Sequence, residues 1–442
     1  MSPYLWSSLL QYSRAGIGAL VFLLAARFLS LAEIGIFATA YAPIRLSQAL
    51  HRAGIAEMVV IRRASERRLN ALFWLSVNSG ALLSLALALI ALALGNRALL
   101  ILSLLPLLQG LGAVSDGLLR KHLALRALAL RSLSVQGIAA AACLAALAAG
   151  WGSGALILFV TCNTALGTLL SLHQARWRPT GPPRLREQLL TSRKTAEIAT
   201  RDLLASGLLP LAQIAIGLSL GLAAAGAFQI ATRLVAMLET LGIAPLRYLA
   251  LPQFAAPGAT RPAQQARLAH SLRLSSRITG WLWFLAPDLL PRLIPDQADA
   301  VLPVFVALLP LVPIAALAMP FSQALTARGA TAPVLARALL CLGLSVLFCA
   351  PALALSAPLT AAALSAAALL ALVWFLNRAR ILLCLPGALF WIPLPPLLSG
   401  AGMAVILLCL RLGPLPDLVL GSLLYALLLS GCSLPPAREP AA

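Results

Sequence analysis

The chain has 442 residues, of which 61% are hydrophobic and only 10% charged, with a formal net charge of +20 and a mean hydropathy of +0.94. A soluble domain is about half apolar and a quarter charged, so this composition excludes a water-soluble enzyme and points to a multi-pass membrane protein. The surplus arginine is scattered over short loops without a continuous basic face or a nucleic-acid-binding motif. That excludes nucleic acid as a partner and suits loop orientation and contact with membrane lipids.

Apolar blocks of about twenty residues, enough for a helix to cross a bilayer, recur about fourteen times. The first six are expected near 7–27, 34–56, 71–94, 98–118, 132–150 and 154–174. Six more lie near 198–221, 225–249, 272–294, 301–325, 333–353 and 358–377, and two further blocks near 383–410 and 415–433. Pro386, Pro393, Pro395 and Pro396 leave the count open between twelve and fourteen. The first block has neither a basic leader nor a small-residue cleavage site, so it is expected to remain as a helix.

The loops orient the spans. Arg62, Arg63, Arg67 and Arg68 follow span two; Arg120, Lys121, Arg126 and Arg131 follow span four; Arg176, Arg178, Arg184, Arg186, Arg193 and Lys194 follow span six. Further basic groups follow spans eight, ten and twelve, whereas the intervening loops carry Arg27, Arg97, Arg292 and Arg411. Cytoplasmic loops hold the positive charge, which predicts a cytoplasmic N-terminus and even-numbered spans that end inside.

Span two opens with Leu31-Ala32-x-x-Gly35-x-Phe37-x-x-Ala40, and span eight with Leu222-Ala223-x-x-Gly226-x-Phe228-x-x-Ala231, an offset of 191 residues. Equivalent positions in two six-helix sets suggest a duplication, and paired repeats are a transporter architecture. The expected fold is therefore all-α and polytopic, with two pseudo-symmetric six-helix lobes. Residues 1–175 form the N-lobe, 176–197 a cytoplasmic linker, 198–380 the C-lobe, and 381–442 a C-terminal helix pair and tail.

Catalytic chemistry is missing from the sequence. His51, His122, His173 and His270 fall in or beside cytoplasmic loops without metal-ligand spacing. Gly217-Leu218-Ser219-Leu220-Gly221 matches G-x-S-x-G, but inside a span it is better read as a helix-packing GxxxG. The seven cysteines are an odd number and form no CxxC. No enzyme activity, metal or cofactor is expected.

Ionisable residues within spans carry the functional signal. Arg14 lies in span one, Arg45 in span two and Arg233 in span eight. A central arginine costs about 2.5–3.5 kcal/mol on insertion scales. Arg45, Gln48 and Arg52 share one helical face, and Gln229 precedes Arg233 by one turn. One reading pairs these arginines with acids or lets them snorkel to an interface. The other places them around a hydrated cationic cavity for phosphate, which a planar, permanently charged guanidinium binds through two parallel hydrogen bonds. Glu239 is the acid placed well inside a helix, a position open to an ion-coupling role.

The chain resembles the bacterial polysaccharide-biosynthesis flippases, the O-antigen and exopolysaccharide unit exporters. These share a superfamily with lipid II flippases and multidrug-and-toxin extrusion transporters. The likeness covers about 5–380 and rests on four stretches. These are Ala25-Ala26-Arg27-Phe28-Leu29 before Glu33-x-Gly35-x-Phe37, Arg62-Arg63 before Asn70-x-x-Phe73-Trp74, Arg176-Trp177-Arg178-Pro179, and Ala286-Pro287-Asp288-Leu289-Leu290. It implies two lobes in a V and alternating access, and as substrate an undecaprenyl-pyrophosphate-linked oligosaccharide moved across the bacterial inner membrane for surface polysaccharide such as lipopolysaccharide. It also implies a cationic cavity lined by the first, second, seventh and eighth helices, where Arg14, Arg45 and Arg233 would fall. A polysaccharide polymerase and a chain-length regulator are the protein partners such a flippase would serve. Many relatives carry an acid in span seven where this chain places Gln213, a departure that bears on ion coupling. Two alternatives stay open: a cation-coupled multidrug-type exporter of the same fold, and a non-transporting membrane scaffold.

Overall fold

In the computed structural model the described backbone covers residues 3–49, 65–121, 125–181, 208–243, 261–328, 332–383, 391–410 and 414–431, with Ala330 and single residues within 55–59 and 188–207. These residues form sixteen α-helices and one short 3-10 turn. The first nine helices are α1 (Pro3–Phe28), α2 (Leu31–Ala49), α3 (Glu66–Ala93), α4 (Arg97–Leu102), α5 (Leu105–Lys121), α6 (Leu125–Ala148), α7 (Ser153–Ala175), α8 (Leu208–Ser219) and α9 (Leu222–Gly242). Then come α10 (Arg261–Leu293), α11 (Ala298–Leu308), α12 (Leu311–Ala327), α13 (Ala332–Ala352), α14 (Ala357–Leu383), α15 (Leu394–Leu410) and α16 (Pro414–Gly431). No strand occurs among the described residues.

Every one of the fourteen apolar blocks contains a described helix. Eight stretches are long and apolar enough to cross a membrane: Glu66–Ala93, Arg97–Lys121, Arg126–Ala148, Ser153–Ala175, Leu222–Leu241, Pro295–Ala327, Ala332–Ala352 and Ala357–Leu383. Gly16–Phe28, Leu208–Ser219 and Leu420–Leu429 are shorter apolar helices. The remaining blocks coincide with α2, α10 and α15.

Two expected spans are each broken into two helices. Span four divides into α4 and α5, and span ten into α11 and α12. Each break carries the same four letters, Leu104-Leu105-Pro106-Leu107 and Leu308-Leu309-Pro310-Leu311. Proline lacks an N–H and its ring clashes with the carbonyl four residues back, so it stops the first half and suits the opening turn of the second. The exposed backbone groups are satisfied from neighbours. Ser84 Oγ accepts from Leu107 N–H at 3.0 Å, and Ser365 Oγ donates to Ala307 O at 2.5 Å. A broken fourth span in both six-helix sets is a second mark of the duplication.

The chain forms two compact units, Met1–Arg233 with Cys349–Thr360, and Leu234–Phe348 with Ala361–Ala442. In the first unit α6 packs on α1 and α7, α5 on α3 and α7, and α8 on α2. Glycines allow the close approaches: a Cβ on Gly80 would lie 2.6 Å from Pro106 O, and one on Gly112 3.2 Å from Thr168 Oγ1. In the second unit α10 packs against α12 and α15, and α15 against α16. Tyr425 Oη donates to Arg277 O at 2.6 Å and so fastens α16 to α10.

Two placements correct the sequence reading. Arg131 is not a loop residue but lies within α6, 5% exposed. Helix α10 begins at Arg261, well before the expected start near 272, so Arg267 is helical rather than in a loop. The residues that follow α7 are also held closely. Trp177 packs edge-on against Phe73, centroids 5.8 Å apart, and its indole N–H donates to Glu66 Oε2 at 3.1 Å. Asn70 Nδ2 and Trp74 Nε1 both donate to Gly181 O, at 3.2 and 2.9 Å. Asn78, one further turn along α3, donates to Gln188 Oε1 at 3.3 Å. Residues 70, 74 and 78 are spaced by four and share a face of α3.

Candidate functional site

The site is built on α1, α2, α8 and the first part of α9, all in the first unit. The repeated motif brings the N-terminal ends of α2 and α9 together. A Cβ on Gly35 would overlap the carbonyl of Leu222, and a Cβ on Gly226 would overlap the carbonyl of Leu31 and come within 3.2 Å of Gly35 N. The first residue of each motif thus meets the fifth of the other, a reciprocal contact of the kind a two-fold relation produces. Gly217 on α8 leaves room for the side chain of Thr39 on α2. The sequence supplies glycine where backbones must touch, and β-branched or aromatic residues just beyond it.

Below this crossing α2 carries Phe37, stacked on Tyr41 at 5.3 Å, then Arg45 and Gln48. Gln48 Nε2 donates to the Tyr41 hydroxyl at 3.0 Å. Arg45 is half-buried and is engaged by a neighbour. On α9, Gln229 is 2% exposed, and its backbone carbonyl accepts from Thr232 Oγ1 at 3.0 Å. Arg233 follows one turn later, half-buried. Its guanidinium lies over the ring of Phe22 on α1, Cζ to centroid 5.7 Å, a cation–π distance.

Hydrogen-bonding capacity is left over around Arg233. Its Nε is buried without an acceptor, and so is the Nε2 donor of Gln229. Gln213 on α8 is 2% exposed and donates from Nε2 to Ala225 O at 2.9 Å, the turn of α9 that also holds Gln229. Its Oε1 has no donor. Most buried polar atoms in folded proteins are paired, so two unmet donors one turn apart on α9, with an unmet acceptor held at the turn before, are what a binding site for a polar ligand would leave. A buried ion pair lies elsewhere: Arg131 Nη1 to Asp116 Oδ1 at 2.8 Å. Ser171 donates to the same carboxylate oxygen at 2.7 Å, and Arg131 also reaches Ser171 Oγ.

Of the residues singled out by sequence, Gln229 and Arg233 share a face of α9, and Gln48 bonds within α2. Arg14 lies within α1, but its side chain is outside the described residues, as is the whole of Arg52. Glu239 is half-buried on the later part of α9, in the second unit, and is engaged. Phe22 was missed, because one phenylalanine in an apolar span carries no signal of its own. The Asp116–Arg131–Ser171 cluster was missed because Arg131 read as part of a basic loop.

A family model described as polysaccharide biosynthesis protein matches residues 24–283. No curated protein sequence matches significantly. Among solved structures, one described as "Lipid II flippase MurJ, inward closed conformation" superposes with a TM-score of 0.76 at 14% identity, covering 96% of this chain and 98% of that one. An outward-facing structure of a multidrug resistance MATE family transporter of the MOP superfamily matches with a TM-score of 0.59 at 14% identity, over 88% of this chain and 96% of the other. An inward-facing structure of such a transporter gives 0.56 at 13%, over 86% and 96%. At these identities the common ground is the fold, which is that of membrane transporters and flippases.

Proposed function

The chain belongs to the polysaccharide biosynthesis protein family, and on that premise we propose that it is a flippase for undecaprenyl-pyrophosphate-linked oligosaccharide units. It would act in the bacterial inner membrane, N-terminus in the cytoplasm, supplying O-antigen or exopolysaccharide synthesis and handing its product to a polysaccharide polymerase and chain-length regulator. The observation that carries this is Arg233: a guanidinium within an apolar helix, resting on an aromatic ring, with a buried N–H lacking an acceptor.

The physical task is to move a charged sugar head past hydrocarbon while the polyprenyl tail stays in lipid. A hydrated cavity lined by Arg14, Arg45, Gln48, Arg52, Gln229 and Arg233 would bind the pyrophosphate through charge-assisted hydrogen bonds. Two six-helix lobes, 1–175 and 198–380, would alternate the exposed side, joined by the 176–197 linker and flanked by the C-terminal pair. In that scheme the Gly35–Gly226 crossing lies at the outer ends of α2 and α9 and opens when the head is released. Net export requires that the ligand bind the two states unequally or be consumed outside.

The experiment is substitution in a host whose surface polysaccharide depends on this protein. Arg45→Ala and Arg233→Ala are expected to abolish the polysaccharide at normal protein level. Full polysaccharide from both variants overturns the proposal.

A further inference from the structure

We infer that Phe22 is the positioning residue that holds the Arg233 guanidinium by its face and so keeps its hydrogen-bonding edge open for phosphate oxygens; this rests on the phosphate-binding function proposed above. Two arginines in helix interiors of the first unit, Arg131 and Arg233, are held in contrasting ways. Arg131 is 5% exposed and directs its Nη1 donors to Asp116 and Ser171. Held by a carboxylate in this way, Arg131 ties α5, α6 and α7 together.

Arg233 is oriented without a carboxylate among the described residues. The Phe22 ring sits 5.7 Å beneath Cζ. That ring is itself fixed, 6% exposed on α1 beside Val21, Ala25 and Ala26, each 1% exposed or less. A cation above an aromatic ring is attracted by the negative face of that ring and needs no in-plane acceptor to be held there. The five N–H donors all lie in the guanidinium plane and point outward from its edge. An aromatic partner therefore restrains the side chain and partly offsets the cost of its burial without occupying the fork that recognises phosphate in a bidentate way.

The surroundings agree with that use. The Nε–H of Arg233 and the Nε2 of Gln229, one turn earlier on α9, are both buried and lack acceptors. Two donors on one face of one helix can meet two oxygens of the same phosphate or adjacent oxygens of a pyrophosphate. Gln213 Oε1, the unmet acceptor beside that turn, suits a hydroxyl and not a second anionic oxygen. Phe22 thus acts on the ligand through Arg233, and its effect is on affinity and not on the rate of lobe movement.

Ring fluorination tests this directly, because it drains the negative π-face while leaving the shape of the side chain nearly unchanged. Purified full-length protein would carry phenylalanine, monofluoro-, difluoro- or trifluorophenylalanine at position 22, and binding of radiolabelled undecaprenyl pyrophosphate would be measured in detergent. Undecaprenol serves as the uncharged control and Arg233→Ala as the reference variant. The expected result is a stepwise loss of affinity with each fluorine, about 2- to 30-fold over the series, with unchanged undecaprenol binding and melting temperature. In transport the same series is expected to raise KM and leave kcat unchanged. Constant affinity across the series, with binding lost in Arg233→Ala, overturns the role of Phe22 and leaves phosphate recognition by Arg233 standing. Wild-type affinity in Arg233→Ala, or no binding by the wild type, overturns both.

Discussion

Replacing Arg131 by methionine removes the cation from a buried pair while keeping much of the side chain's length. Asp116 is left with one hydrogen bond, from Ser171 at 2.7 Å. Loss of one partner from a buried pair costs about 3–5 kcal/mol because the other charge is left uncompensated. The two side chains differ in exposure, 4% for Arg131 and 33% for Asp116. Water can still reach the stranded carboxylate, so Arg131→Met is expected at the lower end, about 3 kcal/mol. Asp116→Ala strands the more deeply buried guanidinium and is expected at the upper end, about 5 kcal/mol. The double variant strands neither charge, so its cost should fall short of the sum of the two by about 2 kcal/mol or more. Equilibrium unfolding by a denaturing detergent, followed by circular dichroism, gives all three values. Additivity to within about 0.5 kcal/mol, or a larger cost for Arg131→Met than for Asp116→Ala, refutes the reasoning.

Other consequences are equally concrete. Gly35→Leu and Gly226→Leu would each force α2 and α9 apart at their crossing, and both are expected to lose surface polysaccharide. Gly18→Ala, where a Cβ meets nothing within 4 Å, is the control expected to keep it; full function in the leucine variants would contradict the reciprocal contact. Trp177→Ala with Asn70→Ala removes the packing and two of the bonds that hold the segment after α7 to α3, and is expected to speed limited proteolysis after Arg178 relative to the rest of the chain, whereas an unchanged rate would show that the docking contributes nothing. Reporter fusions after Ala64 and after Asp299 are expected on opposite sides of the membrane, and agreement between them would break the topology.

The helices were legible because the bilayer imposes one length on every span, and blocks such as 71–94 and 154–174 meet it within a few residues of α3 and α7. The duplication was legible in Gly35 and Gly226 because a backbone crossing leaves no choice of residue. The second copy mark, Leu-Leu-Pro-Leu at 104–107 and 308–311, was equally present but hidden within apolar runs that hydropathy treats as uniform. Arg131 was misplaced because a charge in the second turn of a helix and a charge in a loop look alike until a partner is known; Asp116 is fifteen residues away and on another helix. At the candidate site, charge drew attention to Arg233 and Gln229, while Phe22 and the unmet amide of Gln213 emerge only from three-dimensional neighbours. The residue that decides how a cation is held is often an apolar one, and apolar residues are common to every span of this chain.

Reconstitution in proteoliposomes tests the central claim most directly. Undecaprenyl-pyrophosphate-linked oligosaccharide carrying a fluorescent sugar would be placed in both leaflets, and its arrival in the outer one followed by a membrane-impermeant quencher. Wild-type protein is expected to equilibrate the probe between leaflets, and Arg233→Ala to leave it where it started, at equal protein incorporation. Equal rates for the two proteins, or no movement with either, would contradict a pyrophosphate-binding flippase.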